Sequence, residues 1–386
     1  MSMNPNDDPA FWTLPHPIRL DAVLGTALDT HLFEQAGVLQ RLTPYLADEH
    51  TTTEWIVKHV PGMLEIGQAH FGLVGAHNMG TYLLTLARAR LRAQADPMVQ
   101  LTPALQAMLA ETELAAELPA GYFRSPYPLV YLELARPNPL RVPNRDSGLH
   151  ECEGAYLGVY ELPAGHEVFA SSAQNEALKL DPAKPVRVAE IVVTGSPVGK
   201  QHALDDASQN IRLMIQDEDE CLQDMLDRHI AWYFNPSAYD QPGMAPLRLD
   251  EVERLRPTIA LLAKTLLYLN LNEAEQRAFN ERSDLERKLK RLGYKKAKRL
   301  QKRLAGTYDR ILIGPADLPD PEPPDSGTGG TGEAQRSVKA HWRRGHFRTI
   351  RYGERRSKQR LGWIKPVLVN AGQAFGPVKT KAYVVR

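Results

Sequence analysis

Cysteine is scarce. Only Cys152 and Cys221 occur, too few for a disulfide scaffold, which fits a reducing, cytoplasmic setting. Long apolar runs are missing too. The longest, around 259–269, is interrupted by Lys264, so no membrane span and no membrane partner are expected. Asn4, Asn6, Asp7 and Asp8 stand where a secretory signal would carry basic and then apolar residues. No Gly-x-Ser-x-Gly, Walker or zincin motif is present, and the GTGGTG at 327–332 lacks the Gly-Lys-Ser/Thr of a phosphate loop. His150-Glu151-Cys152 has no second Cys/His pair at ligand spacing. Asp205-Asp206 and the acids at 217–220 read as solvated, the latter at a helix start. No metal and no cofactor are expected.

Net charge is nearly absent, at +1, yet it hides a segregation. Residues 336–386 carry 14 Lys/Arg and one acid, Glu354, and residues 287–303 carry 10 Lys/Arg and no acid. The remainder holds 23 basic and 45 acidic side chains. An acidic body joined to a basic C-terminal third suggests a surface for a polyanion, most often nucleic acid. The plainer alternative is that the basic pieces dock on the acidic body.

The pattern predicts an α+β fold. Residues 1–120 read as a helical N-terminal region: Leu20, Val23, Leu24, Ala27 and Leu28 share one face, Thr53 is placed to cap a helix through Val60, glycines interrupt 63–94, and Thr102-Pro103 starts a helix that stops before Pro119. Residues 121–315 read as an α+β core. Its β-type runs at 129–134, 154–163 and 186–195 suggest an antiparallel sheet packed with helices, the latter at 217–234 and 249–271. A basic helix is expected at 282–304, carrying Lys295, Lys296 and Arg299. Residues 316–335 have the composition of a flexible linker. Residues 336–386 form a small basic β-rich C-terminal module.

In that module HFRTIRYG and QRLGWIKPVLVN read as two strands joined by ERRSK. Arg343, Arg344, Arg348 and Arg351 suit phosphates, and Trp342, Phe347, Tyr352 and Trp363 offer rings on which unpaired bases stack. Stacking is worth roughly 1–3 kcal/mol per base, against about 0–1 kcal/mol for an exposed ion pair. Rings plus arginines therefore suit single-stranded RNA. The bland reading makes the rings a small core of the module itself. His341 and His346 also suggest general base and acid for metal-independent RNA cleavage, with Arg343 stabilising the phosphorane. A third reading is a plasmid-borne nucleic-acid-binding regulator.

HWRRGHFRTIRYG followed by WIKPVLVNAG resembles the AcrVA-two family, the type V-A anti-CRISPR proteins and their plasmid and phage relatives. LPAGYFRSPYPLVYLEL, EGAYLGVYEL and LRPTIALLAKTLLYLNL are similar in order and character, so the resemblance spans about 117–386. It implies loss of the effector nuclease's mRNA during translation. Its implied partners are the nascent polypeptide of the target, mRNA or ribosomal RNA, and a host ribonuclease, in a bacterial cytoplasm. The motif positions are His341, Arg343, Gly345, His346, Trp363, Pro366 and Asn370, with Tyr131 and Glu133 on the central strand.

Overall fold

The computed structural model describes residues 14–24, 28–73, 79–144, 147–196, 207–239, 249–291, 300, 303–304, 306–319 and 341–369. The fold is α+β. The N-terminal helices are α1 (His16–Leu24), α2 (Leu28–Gln35), α3 (Leu39–Leu46), α4 (Thr53–His59), α5 (Met63–Phe71) and α6 (Met79–Ala93). Phe33, Leu42, Ile56, Met63, Tyr82 and Leu86 bury one another between them. The cap of α4 is Thr52 rather than Thr53: its hydroxyl accepts the Trp55 N–H at 3.1 Å. Helix α5 stops at Gly72, whose left-handed φ of 61° ends the hydrogen-bond ladder.

Strand β1 (Met98–Leu101) follows, then α7 (Pro103–Ala110) and β2 (Thr112–Leu114). Thr102 caps α7 by accepting the Leu105 N–H at 3.1 Å. The helix ends at Ala110, well before Pro119. These two strands correct the reading of 1–120 as purely helical. Four- and three-residue strands are too short to show a period against the helices around them.

The rest of the body comprises β3 (Leu129–Glu133), β4 (Arg141–Asn144), β5 (Gly148–Leu162), α8 (Ser172–Leu178), β6 (Val186–Ser196), β7 (Ala207–Ile215), α9 (Leu222–Trp232), α10 (Leu249–Leu269), β8 (Gln276–Phe279), α11 (Glu281–Leu289) and β9 (Arg310–Ile313). The main sheet runs β7-β6-β5-β3-β1-β9-β8, with β4 beside β5. It is mostly antiparallel, but β1 lies parallel to both β3 and β9, so the sheet is mixed rather than antiparallel throughout. Both faces are covered. On β6, Ala189, Ile191 and Val193 join a core with α7, α9 and α10, while Val192 points to α1 and α6. That is why β3 is buried at every residue and reads as a continuous apolar run.

Arg19 of α1 fixes the N-terminal layer to the sheet. Its guanidinium donates to both oxygens of Glu153 on β5 at 2.6 and 2.7 Å, and neither side chain is exposed. Burial alone would raise that carboxyl; Arg19 holds it below the ordinary range.

Of the basic helix expected at 282–304, residues 282–289 lie in α11, where Glu281, Asp284 and Glu286 balance Arg282, Arg287 and Lys288; Lys290 and Arg291 follow. Lys295, Lys296 and Arg299 lie outside the described residues, as does 320–335 of the expected linker. Beyond it come β10 (His341–Arg343), β11 (Gly345–Tyr352), β12 (Lys358–Ile364) and β13 (Val367–Val369). Strands β11 and β12 form the hairpin anticipated around ERRSK, with Phe347 opposite Trp363. The second run breaks at Lys365-Pro366, so β13 turns away and pairs with β10. Among the described residues no helix is long and apolar enough to cross a membrane.

Candidate nucleic-acid interface

The hairpin is built onto the body. Strand β11 adds in parallel to β2, with Gly345, His346 and Phe347 opposite Thr112, Glu113 and Leu114. Phe347 is fully buried and Leu361 nearly so, both in the core shared with α10. Trp363 stacks on Phe347 (centroids 5.6 Å apart, planes 13° apart) and meets Tyr268 of α10 edge-on at 5.5 Å. Its indole N–H donates to the Thr112 hydroxyl at 3.2 Å, and that hydroxyl donates to the Met108 carbonyl at 2.7 Å. Lys264 of α10, half-buried nearby, donates to the Leu109 carbonyl at 2.8 Å; desolvation brings its ammonium down to about 8.

Two of the four rings assigned to base stacking are thereby corrected. Phe347 presents no surface to a base, and Trp363 turns inward onto it. The missed signal was the cross-strand pairing: once the two runs form a hairpin, residues 347 and 363 become partners on one face. Tyr352 is the exposed ring, 45% accessible, with the Arg360 guanidinium 5.9 Å from its centroid. Trp342 is half-buried on β10.

The motif glycine and proline are explained by contact. A Cβ on Gly345 would meet the Ile364 carbonyl at 2.6 Å and Pro366 at 2.7 Å. Only a residue without a side chain lets β11 pass under the turn made by the buried Pro366. Tyr131 and Glu133 are also interior. The Tyr131 hydroxyl lies 2.9 Å from that of Thr194. Glu133 accepts from Tyr308 at 3.0 Å and Gln100 at 3.0 Å, and burial pushes its carboxyl up to about 7 against these partners and nearby Arg136 and Arg310. Asn370 lies outside the described residues.

The arginines divide. Arg344 pairs with Glu113 on β2, and Arg343 is exposed on β10. Arg348, Arg351, Arg355, Arg356 and Lys358 are all exposed, and among the described residues none of them has a carboxylate within ion-pair distance. Three of these arginines, 348, 351 and 356, line one wall of a polar cleft of about 680 Å³. Glu117, Pro119 and Asp219 line the other. These side chains therefore stay exposed without pairing to the body's acids, although three of them share the cleft with Glu117 and Asp219. His341 sits on the β10–β13 ladder and His346 on β11, in separate sheets.

The other acidic candidates serve the fold. Glu218 pairs with Arg124 and Arg187, and Glu220 with Arg228. His150 shares hydrogen bonds with the Ser147 hydroxyl at 2.7 Å and the Gly195 carbonyl at 3.3 Å.

Fold and site together define an α+β protein that presents a cationic β-hairpin from a shared core. A family model described as "AcrVA2-like: Anti-CRISPR type V subtype A2 family" matches residues 99–371, and the chain belongs to that family of anti-CRISPR proteins. The crystal structure of AcrVA2 is similar to it at 14% identity and a TM-score of 0.44, over 89% of this chain and 97% of that one. No curated protein matches the chain.

Proposed function

We propose that this protein is an anti-CRISPR adaptor that lowers the amount of a type V effector nuclease through loss of its mRNA during translation, with the C-terminal hairpin contacting RNA. The observation that carries the RNA contact is the set of exposed cations on the hairpin, Arg348, Arg351, Arg355, Arg356 and Lys358, none of which has a carboxylate within ion-pair distance among the described residues; Arg348 and Lys358 share a side with Tyr352, the ring for stacking. Several phosphate contacts acting together give affinity that one exposed pair does not.

The adaptor would hold the nascent polypeptide at a sheet edge by strand addition. At the β7 edge, Tyr233 accepts the Arg212 N–H at 2.9 Å and His229 accepts the Met214 N–H at 2.8 Å, so side chains already occupy those donors. Strand β8, exposed at Gln276, Arg277 and Ala278, is the better edge. A host ribonuclease would then cut the message.

Cross-linking in translating cells tests the reading: RNA should be recovered from the 345–364 hairpin. A full-length protein that yields no RNA there, and leaves the effector transcript undiminished, overturns it. Incubation with labelled single-stranded RNA in EDTA separates the adaptor from the ribonuclease. Binding without cleavage supports the adaptor; cleavage lost in His346→Ala with binding retained replaces it with the enzyme.

A further inference from the structure

The polar cleft beside the hairpin begins where β2 leaves β11. Strand β2 pairs with residues 345–347 and ends at Leu114, while β12 covers the other edge of β11 as far as Tyr352. The Gly345 N–H donates to the Glu111 carbonyl at 3.0 Å, so the odd-numbered residues of β11 turn their backbone groups toward β2. Past Phe347 the same alternation brings the N–H and C=O of Thr349 and Arg351 to an edge with no strand beside it among the described residues, and both residues line the cleft.

The two walls carry opposite charge and do not neutralise each other. Arg348, Arg351 and Arg356 stand on the hairpin side, and Glu117 and Asp219 stand on the body side. Among the described residues neither acid has a cation within ion-pair distance, whereas Glu218 and Glu220, on either side of Asp219, are both paired. Carboxylates repel phosphates, so a cleft that only tracked an RNA backbone gains nothing from them. A nucleotide is itself two-sided: its phosphate only accepts, and its base edge carries N–H donors. The volume of about 680 Å³ falls within the range of sites that enclose a small molecule, so an unstacked base has room to enter.

A carboxylate has two oxygens and only accepts. Guanine is the one standard base that sets two donors, N1–H and N2–H, side by side, with the O6 acceptor next to them. Adenine and cytosine place an acceptor beside their amino group, and uracil flanks its N3–H with two carbonyls. Those acceptors would face a carboxylate unfavourably. A backbone N–H on the open edge of β11 supplies the donor that O6 needs.

We propose that this cleft selects guanine in single-stranded RNA: Glu117 and Asp219 accept from N1–H and N2–H, and the three arginines hold the adjoining phosphates. The assignment rests on the reading of the hairpin as an RNA contact and adds a base preference to it.

Fluorescence anisotropy of the full-length protein with a uridine-rich single strand carrying central guanosines, set against the same strand with inosine or adenosine in their place, tests it. Inosine lacks only the N2 amino group. The guanosine strand should bind about tenfold tighter than either, the loss expected for one hydrogen bond to a charged group. Changing Glu117→Gln and Asp219→Asn together should bring the strands level with binding retained. Acids that only repel phosphate would instead give every strand the same gain in affinity, and that result overturns the assignment. Equal binding of the guanosine and inosine strands by the unaltered protein overturns it too, with the RNA contact itself left standing. If no strand binds, the RNA reading falls and the base preference with it.

Discussion

Phe347 and Tyr352 are five positions apart on one strand and have opposite expected phenotypes. Phe347→Ala removes a ring from the common core and should cost about 3–5 kcal/mol in denaturant unfolding. Tyr352→Ala touches only the surface. Its unfolding midpoint should stay near that of the parent, while RNA affinity falls by the equivalent of one stacked base, about 1–3 kcal/mol. Glu133 gives a pH signature. Folded, its carboxyl titrates near 7 because it is buried, above its ordinary 4.5, so the folded state retains a proton that the unfolded chain has released. That stability is complete below about 4.5 and is lost as pH rises through 7. Glu133→Gln should flatten this fall and raise stability at pH 8 by up to about 3 kcal/mol, measured by denaturation across pH. Sequence reasoning marked Glu133 as a motif position but gave no sign of its titration, which arises from burial among strands distant in sequence and is opposed by the hydrogen bond from Tyr308.

At the scale of elements, legibility followed the length of the pattern. The runs at 129–134, 154–163 and 186–195 were readable because β-branched and aromatic residues persist over several positions, and they are β3, β5 and β6. The Thr102-Pro103 start was readable from capping chemistry. Parallel pairing of β1 with β3 and β9 was not, because nothing local encodes which late segment returns to the centre of a sheet. The hairpin was legible as two strands, but its docking on β2 rests on a pairing across more than two hundred residues. The open face of that hairpin carries a collective prediction. Changing Arg348, Arg351 and Arg356 together to Ala should reduce the slope of log affinity against log salt for single-stranded RNA by about 2, since each phosphate contact contributes roughly 0.7. Fluorescence anisotropy across a salt series measures it, and Thr102→Ala, which costs the α7 cap about 1 kcal/mol, should leave the slope unchanged.

For the whole molecule, the charge asymmetry reads as a basic appendage on an acidic body, and the packing makes that picture incomplete. Because Phe347, Leu361 and Trp363 fill space against α10 and β2, deleting 341–386 should leave an aggregating remnant with lowered or absent cooperative unfolding, measured by calorimetry and light scattering. A clean, fully stable body would contradict the shared core. The same arrangement constrains synthesis. With β9 seated beside β1 and β11 beside β2, the strands that finish both sheets leave the exit tunnel roughly two hundred residues after the strands they join. A chain terminated before residue 341 therefore yields no half-working product, and the basic hairpin reaches its place only by pairing with β2 and packing on α10 of the acidic body.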